Sequence, residues 1–465
     1  MAALTPTLAA ILGILALLLR PIHGLAVYLA ALCWYPQSVT LKLGTLDFSL
    51  SRIAILALLA NAILRFKLWK SVRWGWMDAW IVLFFVGHSL ALSQNVPSNI
   101  WVVREAGGLL NTAFVYLAVR MIVDDRAKVI ALIKALILIG LPLAALGIVQ
   151  MTTGKNPTNY LLPFYSEDLT VRATRENLRF GMHRASVTFG NYISFGLFFA
   201  GVAPLCVGLW RARAWSKVTI VALTLALLVG VFSSLSSAPL FAIVAAAGIT
   251  IAYPLRRFWP VLLGAFLGCV LFVEVFSDSH FYHVLARLAM NPATARYRIG
   301  LMEEAFGGGM SGHWFAGYGY VGIGPGNDNT NFHWHHRDIV NIYLAVLVRF
   351  GLLGLIPFVA LNVLYYRRLV QAARATTDRA DKWLIWTISA ALIGWNVAMM
   401  TVSALGPMNT LLYVFMGLCA SLPRALAESA QVAAPRPVGA RSRLVIRRRR
   451  PLPWRRARPI RGGAS

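Results

Sequence analysis

Arginine gathers in two stretches of this chain that are flanked by long apolar runs. Arg172, Arg175, Arg179 and Arg184 lie in the first, and Arg287, Arg296, Arg298 and Arg337 in the second. A guanidinium is a planar fork of donors that stays charged at any working pH and matches phosphate oxygens. Such a cluster near a membrane surface suits a lipid-linked phosphate or diphosphate. Arg184 and Arg298 are best placed, each just before or within a transition into the membrane. The plainer alternative pairs these arginines with Glu167, Asp168, Glu176, Glu303 and Glu304, or with lipid headgroups. The segment Asn331-Phe-His-Trp-His-His-Arg-Asp-Ile-Val-Asn341 adds His333, His335, His336, Arg337, Asp338 and Asn341 immediately before an apolar run from Ile342. A histidine or carboxylate at that depth can act as general base toward a hydroxyl. If a helix begins near His336, Val340 shares its face and Asn341 shares that of Arg337; Asp338 could instead cap that helix. The 333/335/336 spacing lacks the i, i+4 pattern of a helical zinc pair, so no metal is expected.

The elements that must position these groups are membrane helices. Of the 465 residues 58% are hydrophobic and 13% charged, yet the net charge is +27. Mean hydropathy is +0.66. A soluble globule needs more surface charge than this, a nucleic-acid binder would be less apolar, and disorder requires low hydrophobicity. The expected fold is an all-α polytopic membrane protein of about 12–13 transmembrane helices. Apolar runs fall near 4–19, 22–36, 48–66, 77–94, 103–123, 127–151, 187–209, 217–233, 237–254, 259–276, 339–366, 383–402 and 404–422. The first two flank Arg20-Pro21 and are either two helices or one broken segment. With no basic n-region, Met1 to Leu19 is expected to be a membrane segment and not a signal peptide.

The basic connections, Lys67 to Arg73, Asp124 to Lys128, Arg211 to Lys217, Arg256-Arg257 and Arg367 to Lys382, fall on one side if helices alternate, together with the C-terminal tail. The positive-inside rule makes that side cytoplasmic. The opposite side receives two long loops, about 152–187 and 277–338. Loops of this length are usually functional, and glycines in the second favour a folded lid or active-site loop. Residues 1–422 are therefore expected to be one membrane domain. Residues 423–465, with 12 Arg and one acid, form a basic disordered cytoplasmic tail attracted to anionic lipid, with no nucleic acid as partner. Cys33, Cys206, Cys269 and Cys419 lie in apolar runs as small hydrophobes. Gly351 and Gly354 make a small face suited to close helix packing.

The run Asn341-Ile-Tyr343-Leu through Arg349-Phe350-Gly351-Leu-Leu-Gly354 resembles the signature of the O-antigen ligase and O-antigen polymerase superfamily. Arg184-Ala-Ser-Val-Thr-Phe-Gly-Asn191 is similar to that family's Arg followed by a Gly/Phe/Asn stretch opening the next membrane helix. Arg298-Ile-Gly-Leu-Met-Glu-Glu-Ala-Phe, leading to Phe315-Ala-Gly-Tyr-Gly-Tyr320, resembles the start of its large periplasmic loop. Together these span about 180–360 in the family's order. The resemblance implies a GT-C-like, metal-independent glycosyltransferase of the bacterial inner (cytoplasmic) membrane, without cofactor and with a cytoplasmic C-terminus. It would move a glycan from an undecaprenyl-diphosphate-linked donor to a hydroxyl of a glycan or lipid A core acceptor on the periplasmic side. Arg184, Arg298, Arg296 and Arg337 would hold the diphosphate, and His336, with Asp338 as runner-up, would be the base. His335, Asn341 and Tyr343 would support them. The chain departs from the family at Val340, where a His is common, and at Ser236-Ser237-Ala238, where many relatives carry an Arg after the Ser. A transporter or flippase of lipid-linked or anionic substrates is the alternative; it predicts intramembrane charges, broken helices and repeats. A membrane scaffold with an Arg-rich tail would leave the Arg/His loop unexplained.

Overall fold

A computed structural model of the chain describes residues 4–43, 46–65, 72–94, 98–156, 158, 178–277, 280, 281, 283, 292–319, 339–403 and 406–433. Each apolar run in the sequence folds as one helix or a closely spaced pair, since backbone in hydrocarbon must satisfy its own hydrogen bonds. In order these are α1 (Leu4–Leu18), α2 (Pro21–Trp34), α3 (Leu50–Leu64), α4 (Trp76–Ser93), α5 (Ser98–Asn111), α6 (Ala113–Ile122) and α7 (Arg126–Thr153). There follow α8 (Tyr192–Val202), α9 (Leu205–Arg211), α10 (Lys217–Ser233), α11 (Ser237–Ile251), α12 (Trp259–Phe276) and, outside the apolar runs, the more polar α13 (Pro292–Glu304). The last three are α14 (Ile342–Ala375), α15 (Arg379–Met399) and α16 (Pro407–Ala433). Among the described residues six spans are long and apolar enough to cross a bilayer: α4, Trp101–Ile122 through α5 and α6, α7, α8 with α9, α14, and α16 as far as Ala427. The chain is a multi-pass, all-α membrane protein; its only described strands form two short hairpins, β1 (Thr40–Leu43) with β2 (Leu46–Ser49), and β3 (Leu178–Arg179) with β4 (Met182–His183).

Three details refine the sequence reading. The hydroxyls of Thr5 and Tyr35 lie 2.7 Å apart, so the start of α1 meets the end of α2 and the pair is an antiparallel hairpin, not one broken segment. Helix α16 continues through Pro423 to Ala433, past the expected boundary at residue 422. The run expected over 339–366 is α14, which starts at Ile342, extends to Ala375 and is broken at Gly351, where φ is 57° and ψ −156°.

The core gathers on α8, whose Phe195, Phe198 and Phe199 are fully buried and meet edge to face. Trp395 of α15 lies across Gly201 of α8, where a Cβ would come within 2.2 Å of the indole, and donates Nε1–H to Leu197 O at 2.7 Å. Of the cysteines, Cys33, Cys206 and Cys419 are buried and Cys269 is exposed on α12.

The connections rich in basic residues meet at one end of the bundle. Arg120 bridges Asp78 at 3.0 Å and donates to the carbonyls of Arg73 and Ala420. Arg126 pairs with Asp381 at 2.5 Å. Arg211 lies over Trp383, which stacks on Tyr253, itself covered by Arg256. Buried charges of this kind persist only when paired, and each partner here comes from a different connection.

Candidate functional site

At the opposite end a cavity of about 520 Å³ opens between α3, α4, the α5–α6 junction, the first half of α14 and the start of α16. Its ionisable lining combines Asp47 of β2 with single residues inside the helices, Arg52, His88, Arg104 and Arg349. Arg52 stands in the first turn of α3, whose N-cap is Ser49. Its Nη1 donates to Asp47 O at 2.7 Å and its Nε to Asn111 Oδ1 at 3.5 Å. The guanidinium packs against Gly107, where a Cβ would be 2.8 Å from Nη2. Next to it, the chain turns at Thr112, whose hydroxyl donates to Gly108 O at 2.5 Å and separates α5 from α6. His88 Nδ1 lies 2.5 Å from Glu105 Oε1, and the two side chains are only 12% and 9% exposed.

The break in α14 explains how Arg349 reaches this cavity. Breaking a helix frees carbonyls before the break and N–H groups after it. Here the segment 314–319 satisfies both sets. Tyr318 N donates to Val348 O at 2.7 Å and Gly319 N to Arg349 O at 2.8 Å, while Leu352 N donates to Trp314 O and Leu353 N to Phe315 O. Gly317 and Gly351 make this approach feasible: a Cβ on Gly351 would come within 2.3 Å of Phe315 O, and one on Gly317 within 2.6 Å of Arg349 C. The expectation that Gly351 and Gly354 form a helix-packing face is therefore corrected. Gly351 is the break, and a Cβ on Gly354 would meet Phe350 of its own helix at 2.5 Å.

Asn341 is the N-cap of α14, with Oδ1 accepting from Tyr343 N at 2.9 Å and Leu344 N at 3.2 Å. This corrects the expected helix start near His336 with Asp338 as a possible cap; the helix starts later because the Asn341 side chain satisfies its first free N–H groups. Tyr343 packs its ring against Phe358. His333, His335, His336, Arg337 and Asp338 lie outside the described residues, as do Arg172, Arg175 and Arg287. The chain re-enters the described part at Ile339, whose carbonyl accepts from the hydroxyl of Ser403, a residue lining the cavity.

Arg184 and Arg179 form a second cationic group at this end. The β3–β4 hairpin turns at Phe180 and Gly181, both with positive φ, the geometry of a two-residue primed turn. It delivers both arginines to the turn between α10 and α11: Arg179 Nη1 donates to Leu235 O at 3.0 Å, and Arg184 Nε to Ser234 O at 3.4 Å. Arg184 also places its guanidinium carbon over Tyr192, 3.2 Å from the ring centroid. Burial lowers its pKa to about 10, the nearby Arg179 charge adds to the fall, and Tyr192 opposes it. The backbone on both sides is strained: Val187 and Leu235 each have φ of 45°, costly for bulky side chains. Gln150 holds the first in place, its Oε1 accepting from Ser186 N and Val187 N.

Arg298 and Arg296 stand on α13, whose Leu301, with Ala305 just after the helix, packs onto Leu344, Leu347 and Val348 of α14. Arg298 Nε is buried and makes no hydrogen bond among the described residues; burial lowers the pKa of this guanidinium. Among the described residues Glu303 has its ion-pair contact with His283 Nε2, at 3.7 Å, and not with Arg298. Arg296 is exposed. Among the described residues no contact joins Arg184 to Arg298.

Sequence reasoning missed Arg52, His88, Arg104, Glu105 and Arg349. The available signal was each residue's ionisable side chain inside an apolar run, which in a membrane segment marks a functional position. No protein-family model matches the chain, and no curated protein aligns with it significantly.

Proposed function

We propose that this protein is a membrane glycosyltransferase that moves a glycan from undecaprenyl diphosphate to an acceptor hydroxyl, as a polysaccharide polymerase or an O-antigen ligase. The observation that carries this reading is the cavity itself. Three guanidiniums, Arg52, Arg104 and Arg349, gather around it at the end away from the basic connections, beside the point where residues 320–338 return to α14. An anionic, lipid-linked donor fits such a site: its isoprenoid tail stays in the bilayer while the diphosphate meets fixed cations. Arg184, Arg298, Arg296 and Arg337 belong to the same outer set, and they stabilise the diphosphate as it leaves with the bonding electron pair. The acceptor hydroxyl gives up its proton to a base, for which the sequence nominates His336 and then Asp338, with His335, Asn341 and Tyr343 in support. The basic end faces the cytoplasm of a bacterial inner membrane, and the Arg-rich tail lies against anionic lipid.

The test is reconstitution of the purified protein in liposomes with an undecaprenyl-diphosphate oligosaccharide. Lengthened chains on the carrier identify a polymerase, and transfer only to a lipid A core identifies a ligase. No product with either acceptor overturns the reading. One observation favours a second reading: α14 is broken within its span, beside a cavity with buried charge, as in many transporters. Movement of the lipid-linked glycan across the same liposomes without new glycosidic bonds would establish that alternative.

A further inference from the structure

Besides the arginines and Asp47, the cavity is lined by His88, an imidazole held in a fixed orientation. His88 lies on α4, five residues from the helix end, which places it about 8 Å below that end at 1.5 Å per residue. Glu105 of α5 meets its Nδ1 at 2.5 Å. Phe350 of α14 lies against the ring, with centroids 4.0 Å apart, and Phe84 flanks it at 6.1 Å. The ring is thus clamped in plane by aromatics and in rotation by a carboxylate. A carboxylate accepting from Nδ1–H selects the tautomer whose lone pair is on Nε2. The charged and titratable groups around the cavity are Asp47 of β2, Arg52 of α3, Arg104 and Glu105 of α5, Arg349 of α14 and Tyr413 of α16.

The geometry points to His88, oriented by Glu105, as the general base that activates the acceptor hydroxyl, in place of the loop histidine His336. The assignment rests on the glycosyltransferase reading. In the step, His88 Nε2 takes the hydroxyl proton as the acceptor oxygen forms its bond to the anomeric carbon. The bond from that carbon to the diphosphate oxygen breaks, and undecaprenyl diphosphate departs with the electron pair, its charge held by the arginines. The configuration at the anomeric carbon inverts. The imidazolium is stabilised by Glu105 and returns its proton to water once product has left. Glu105 is a positioning residue, and His88 the catalytic one.

The experiment uses full-length protein in the liposome assay, comparing wild type, His88→Gln, His88→Ala, Glu105→Gln and His336→Ala at matched membrane levels and matched thermal stability. A well-placed base contributes about 10²–10⁴-fold, so His88→Gln is expected to lose at least about 100-fold in kcat with little change in KM. Glu105→Gln should retain a reduced kcat with KM little changed, since only the orientation of the imidazole is lost. Added imidazole should restore activity to His88→Ala, an effect that a packing role would not produce. His88→Gln within about twofold of wild type overturns the assignment, as does a His336→Ala variant that alone loses activity and is rescued by imidazole. If wild type yields no product, the glycosyltransferase reading falls and this assignment falls with it; a wild type that transfers while His88→Gln is unimpaired removes only the assignment.

Discussion

Arginine in this protein does two kinds of work, separated by what surrounds each guanidinium. Arg120 and Arg126 are satisfied by carboxylates: Arg120 meets Asp78 with side chains 8% and 3% exposed. Removing one partner of such a buried pair strands the other charge, at about 3–5 kcal/mol. Asp78→Ala is accordingly expected to lower the thermal unfolding midpoint in detergent strongly, whereas Thr377→Ala, at an exposed site of the same end, should leave it near wild type. Arg184, by contrast, is held by an aromatic face and one long hydrogen bond to a carbonyl, and Arg298 keeps a buried Nε without a hydrogen bond among the described residues. On the proposed reading these two, and Arg349 in the cavity, serve an anion. Alanine at Arg184, Arg298 or Arg349 should leave insertion and stability intact while transfer falls by about 10²–10³-fold, the loss seen when a donor to developing negative charge is removed. Exposed Arg296 should matter least. Wild-type chain lengths from Arg184→Ala and Arg349→Ala at equal protein levels would remove the diphosphate site from the proposal.

The helices themselves were legible because hydrocarbon imposes one long, local signal, and every apolar run near the expected positions is helical. What could not be read was where a helix would be broken and by what. Gly351-Leu-Leu-Gly354 has the spacing of a packing face, and nothing local reveals that Trp314 to Gly319, more than thirty positions upstream of that face, supply its missing hydrogen bonds. The cavity was hidden for the same reason. Arg52, His88, Arg104 and Arg349 are isolated in sequence and belong to four separate helices, whereas the arginines of the long loops are neighbours and announced themselves. Gly351 therefore carries the element-scale prediction. Alanine there must adopt a positive φ, at about 1–3 kcal/mol, and its Cβ would press on Phe315 O at 2.3 Å. Gly351→Ala should expel the 314–319 segment. A protease should then cut near Trp314 faster than in wild type, with transfer activity lost. Gly181→Ala, at a positive-φ turn with no atom within 4 Å, should give the strain without the expulsion and remain resistant.

At the scale of the whole molecule, the net charge of +27 divides into populations that the bundle keeps apart. The basic connections converge on one end through Arg120, Arg126, Arg211 and Arg256, and the cavity lies at the other. The positive-inside rule predicts that the basic end is cytoplasmic, and the proposed transfer from a lipid-linked donor requires the cavity end to face the other side. Orientation is thus tied to function and can be measured without any substrate. Ser311 is exposed in the turn after α13, and Thr377 is exposed between α14 and α15 at the basic end. In a background with the exposed Cys269 replaced by alanine, a membrane-impermeant maleimide applied to intact spheroplasts should modify Ser311→Cys at once and Thr377→Cys only after permeabilisation. The buried thiols Cys33, Cys206 and Cys419 should stay silent in both conditions. The reverse pattern would turn the arginine cavity toward the cytoplasm, where no polymerase or ligase of this kind could meet its acceptor, and would leave transport as the reading to pursue.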